Sequence, residues 1–205
     1  MAMKYSKKML TVAVIATFLL SGCSAAKESV NSASGGSEKP AVKSTMQQAA
    51  VRADSMLDAT FGAIKPEVHW THGATTTGSC DLSRRRVVMT IISKERLGSF
   101  LGLVQRFWEK SGYQIKSVDK DEKFPAIYAQ SPDGFGIDVT VGAESQVFFE
   151  VATPCVKSSS VADPTTPPNG PVYKYPIPRP NVRSDFWSAT SPISSASPTA
   201  SDSER

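Results

Sequence analysis

Between residues 44 and 64, Ala50, Ala53, Leu57, Phe61 and Ile64 recur at spacings of three and four, the apolar stripe of a helix packed on one side. Ser44 or Thr45 is placed to cap its start, and Pro66 lies just past its end. A second stripe, Leu97, Phe100, Leu101, Val104 and Trp108, predicts a helix over 94–111, with Gly112 in the position of a left-handed cap. Elsewhere the period drops to two. The run RVVMTIIS at 86–93 is β-branched and predicts a strand, and 67–71 predicts a short one before it, with 73–83 as a polar loop. Four more strands are expected at 113–120, 126–131, 135–141 and 146–153. The turn Ser131-Pro132-Asp133-Gly134 joins the middle pair, with Pro132 preset for the second turn position and Gly134 free to take a positive φ. In 135–141, Ile137, Val139 and Val141 alternate with Asp138 and Thr140, the signature of a sheet buried on one face. The order α-β-β-α-β-β-β-β predicts an α+β fold, an antiparallel sheet with two helices packed on one face as a two-layer sandwich, followed by a proline-rich C-terminal tail.

The ends of the chain break this pattern. Lys4, Lys7 and Lys8 precede an apolar run from Met9 to Leu20, shorter than the roughly 20 residues of a membrane span and suited to the core of a secretory signal. The run closes on Leu20-Ser21-Gly22-Cys23, which resembles the lipobox of bacterial lipoproteins. The resemblance covers residues 1–23. It implies removal of 1–22 and a diacylated Cys23 as first mature residue, held at the extracytoplasmic face of a cell membrane. Two acyl chains anchor stably where one holds only marginally. Residues 23–43, rich in Ser, Ala, Gly and Lys without periodicity, are expected to be a flexible tether with a reach of roughly 25 Å.

The chain has 205 residues and a formal charge of +4. Setting aside the three lysines before Cys23 leaves 20 of the 23 basic residues against 19 acidic ones, a net of +1. The basic balance belongs mostly to the signal, so it gives no ground for a nucleic-acid partner. Of the three cysteines, acylation of Cys23 leaves Cys80 and Cys155. Thiols outside the cytoplasm tend to pair, so a Cys80–Cys155 disulfide is expected, closing a loop around most of a domain at 44–156. With no C-x-x-C, a redox role is not expected. Nine of the 14 prolines fall after Cys155. Residues 157–187 are expected to be an extended arm, part of 171–187 packing back through Tyr173, Tyr175, Phe186 and Trp187, and 188–205 a disordered tail.

Few residues ask for chemistry. His69 and His72 would converge on a metal from a helix, but on a strand or loop they point apart and no further ligand completes a site; no metal or cofactor is expected. Ser79 lacks a nucleophile-elbow context, and no phosphate-binding glycine loop is present. Asp138 and Glu150 would form a carboxylate pair if strand register placed them side by side; the plainer reading is the wet face of a one-sided sheet. Arg84, Arg85 and Arg86 could meet anionic headgroups or an acidic partner. Phe148 and Phe149 are adjacent on a strand and must face opposite ways, so one of them marks a contact surface or the seat of the arm.

The stretches RRRVVMTIIS (84–93), FFEVATPC (148–155) and IPRPNVRSDFW (177–187) resemble small uncharacterised lipoproteins of actinomycetes, over about residues 45–187. The resemblance implies an address and no activity. The reading is therefore a lipid-anchored, non-catalytic binding or accessory module at the cell envelope. Its expected partners are the membrane through Cys23 and an envelope protein or small ligand. The alternatives are an envelope enzyme acting on cell-wall or lipid substrates and a small apolar-ligand carrier.

Overall fold

The computed structural model describes residues 44–191; the expected signal, Cys23, the expected tether and the part of the expected tail beyond Ser191 lie outside the described residues. Helix α1 (Met46–Ala63) starts on a capping box in which Thr45 accepts from the Gln48 backbone and the Gln48 side chain accepts from the Thr45 N–H. Helix α2 (Lys94–Lys110) ends before Gly112, whose φ is +80°. Seven strands follow in chain order: β1 (Trp70–His72), β2 (Thr76–Thr77), β3 (Leu82–Val88), β4 (Gln114–Asp119), β5 (Ala126–Gln130), β6 (Gly136–Val141) and β7 (Val147–Ala152). All pair antiparallel in one sheet of order β1-β3-β7-β6-β5-β4, with β2 on β3. The fold is α+β, and no helix among the described residues is long and apolar enough to cross a membrane.

Both helices lie on the same face of the sheet because both reach one residue. Phe149, on the central strand β7, packs its ring against Phe61 of α1 and against Phe100 and Trp108 of α2. Val139, Ile137, Ile127, Val147 and Val151 complete the layer beneath. Trp108 Nε1 donates to Thr60 Oγ1 at 3.1 Å, tying the two helices together without leaving the indole N–H unpaired.

Three expectations shift. The strand expected at 86–93 runs instead over Leu82–Val88. Past Val88 the extended chain changes partners: Asn181 and Val182 donate to the Met89 carbonyl, and Ile91 donates to Val182. The apolar run 86–93 is thus divided between the sheet and the C-terminal segment. The loop expected at 73–83 holds β2, hairpinned onto β3, and β1 starts at Trp70 rather than Glu67.

The arm is also more integral than its composition suggests. Trp187 is 1 % exposed, stacks edge-on to Phe100 at 5.3 Å and donates from Nε1 to the Pro66 carbonyl. Ser188, expected in the tail, is buried and donates to the Ile91 carbonyl. The core therefore extends past the expected boundary at 156, because the sheet and helices alone would leave Phe100 and the 89–92 backbone uncovered.

Candidate functional site

Strand alternation divides the arginine triplet. Arg84 and Arg86 point inward at α1, where Asp54 and Asp58 lie one helical turn apart. Arg84 Nε lies 3.4 Å from Asp54, and Arg86 pairs with Asp58. The arm closes the cluster: Arg84 also reaches Thr75 and the Ala162 carbonyl, and Thr166 donates to Asp58 at 2.9 Å. The Arg86 guanidinium lies 3.8 Å from the Trp70 ring centroid. Burial holds Arg86 below the usual guanidinium range, with the Asp58 hydrogen bond opposing. Burial raises Asp54 against the pull of Arg84 and Arg86. This corrects Arg84 and Arg86 as contacts for headgroups or an acidic partner: they are 2 % and 1 % exposed and bind the fold's own carboxylates. His69 and His72 meet the arm likewise, through the carbonyls of Asn169 and Thr166.

The outward side chains make a different surface. On the face away from the helices the register sets Arg85 opposite Glu150, Glu150 opposite Asp138, Asp138 opposite Tyr128 and Tyr128 opposite Ser117. One row thus crosses five strands at roughly 4.8 Å each. Arg85 Nε donates to Glu150 at 2.7 Å, and its Nη2 pairs with the same oxygen. Burial, then the neighbouring Glu150, push the Asp138 carboxyl up to about 7, with Arg85 opposing. Tyr128 is 43 % exposed.

Phe148 and Phe149 do face opposite ways. Phe149 is fully buried and is no contact residue, a second correction. Phe148 lies on the outer face with Arg85 near its ring, beside a recess of about 230 Å³ walled by Tyr175, Pro176 and Ile177 of the arm. Tyr175 is 88 % exposed. The outer face thus combines a charged and hydrogen-bonding row with a notch of mixed character at one side, where Arg85 and Gln146 join Phe148 and Tyr175. Tyr128 was not singled out for this surface, and its signal is register; the arm's place beside Phe148 was one of the two expectations for that residue, but Tyr175, expected to pack back, stays exposed.

Cys80 and Cys155 form a disulfide, 75 residues apart in sequence with Cα atoms at 4.8 Å. It pins the loop before β3 to the exit of β7, where the arm begins. Replacing both cysteines by alanine is expected to lower stability by about 2–4 kcal/mol through the freed chain entropy of the unfolded state, read by chemical denaturation. A change below about 1 kcal/mol would mean that the unfolded chain already keeps these two segments close without the disulfide.

No family profile and no curated protein matches the chain. Among solved structures, the chain is similar to a DUF4853 family protein from Actinomyces odontolyticus, with 16 % identity over 57 % of this chain and 68 % of that one and a TM-score of 0.29.

Proposed function

We propose that the chain is a lipid-anchored extracytoplasmic lipoprotein that acts as a non-catalytic binding or accessory module at the cell envelope. Cys23 is its anchor and the outer face of the sheet its contact surface. The observation that carries this reading is the contrast between the two faces. The helix-side face is filled by Phe149, Phe100, Trp108 and Trp187. The other carries Arg85, Glu150, Asp138, Tyr128 and Phe148 together. That filling also weighs against an apolar-ligand carrier, which needs an enclosed cavity between the layers.

The enzyme reading has one specific observation in its favour, the raised Asp138 carboxyl next to Glu150. An acid/base pair works on a substrate held in a cleft. Here the pair lies on a broad sheet face, and Glu150 is engaged by Arg85, so binding fits the geometry better.

Fractionation of cells expressing Cys23→Ser tests the anchor. The variant is expected to leave the membrane fraction, and its retention there at the level of the unaltered chain would overturn the lipoprotein reading.

A further inference from the structure

We propose that Asp138 and Glu150 act as a proton-sharing carboxyl pair in the middle of the sheet's outer face, so that the gain or loss of one proton sets the charge of that face. The two residues are direct partners on β6 and β7, which brings their Cβ atoms to about 4.5–5.5 Å. Like charges in that arrangement repel, and the second ionisation is penalised further where water is partly excluded. Both side chains are partly buried.

The compensating cation is placed asymmetrically. Arg85 sits on β3, on the far side of Glu150 from Asp138, and donates to Glu150 through Nε and Nη2. The row therefore reads cation, anion, carboxyl, and the shared proton resides on Asp138. From β5, the group facing Asp138 is Tyr128. Along its own strand the outward neighbours are Gly136 and Thr140, which carry no charge. Burial and Glu150 raise Asp138 to about 7 while Arg85 opposes them, the direction that the geometry requires.

The folded state holds the Asp138 proton at pH values where the unfolded chain, at the ordinary carboxyl value of 3.8, has lost it. Stability must therefore fall as pH rises from about 4 to about 7. Over the same range Asp138 passes from neutral to charged, so the outer face gains one negative charge. Use of that change to regulate docking rests on the outer face being the contact surface; the proton pair itself does not.

The test is thermal unfolding of the full chain and of its Asp138→Asn variant between about pH 5 and about pH 8, with a carbon NMR titration of the Asp138 carboxyl. Asparagine keeps the shape and cannot ionise. The Tm of the variant minus that of the unaltered chain is expected to grow by several degrees between about pH 5 and about pH 8, with Asp138 itself titrating near 7. Parallel Tm curves, or an Asp138 that titrates near 4, would overturn the proposal. Asp138 titrating near 7 while the face captures no partner at any pH would uphold the proton pair and sink only the contact-surface reading.

Discussion

Replacing Trp187 by alanine is expected to destabilise the fold by about 3–5 kcal/mol, the range for truncating a large buried aromatic side chain. The residue lies in a proline-rich segment, where only its large aromatic side chain argues from sequence for burial. The structure gives three reasons for a large one. The indole is 1 % exposed, it packs edge-on to Phe100, and its N–H bonds the Pro66 carbonyl, which would lose its partner. The surrounding segment is held as well: Arg96 donates to the Phe186 carbonyl, and Ser93 donates from its backbone to Trp187 and from its hydroxyl to Ala189. Tyr175→Ala is the control on the same arm. At 88 % exposure it should change stability by less than about 0.5 kcal/mol. Equal effects of the two substitutions in urea denaturation would contradict the docked arm.

The second large effect concerns Arg86. Arg86→Ala should cost about 3–5 kcal/mol, because it leaves Asp58 without its buried partner and removes the guanidinium stacked on Trp70. Part of that cost comes from the carboxylate, which is left with water and the Thr166 hydroxyl alone. Arg86→Met with Asp58→Leu should therefore recover most of the stability, since well-packed apolar pairs replace buried ion pairs at little or no loss. Asp58 retains some contact with water, which moderates the single-variant effect toward the lower end. A double variant as unstable as Arg86→Ala would mean that the arginine acts mainly through packing on Trp70. Lys substituted for Arg86 should fail to rescue, because an ammonium cannot both stack flat on the indole and reach Asp58.

The helices were legible because their stripes are uninterrupted: each of Ala50, Ala53, Leu57, Phe61 and Ile64 is buried as its spacing predicts. The meander from β4 to β7 was legible for the same reason, with Pro132 and Gly134 marking its turn. The start of β3 was not. Three consecutive arginines suppress any hydrophobic signal, although a strand admits inward charges when the facing helix supplies carboxylates at matching spacing. Asp54 and Asp58 four apart on a helix, with Arg84 and Arg86 two apart on a strand, form that match, and it becomes visible only when both elements are considered together. The arm was half legible. Its aromatic residues marked it as something to bury, but local pattern cannot show that Val182 pairs beside Thr90 or that Asn169 caps the backbone of Val68 and Trp70. Those are non-local contacts. The outer face was legible as a possibility: Asp138 and Glu150 share a row only if the register of β6 and β7 is right, and a slip by one residue would separate them.

The central claim is that this outer face meets a partner while Cys23 holds the domain at the membrane. It is tested most directly by placing a photo-crosslinking amino acid at Phe148 in the full, lipidated chain on intact cells, with Glu109 on the exposed side of α2 as the control position. The account predicts a discrete adduct from position 148, absent from position 109 and lost in Cys23→Ser. Adducts of equal yield from both positions, or from position 109 alone, would contradict it.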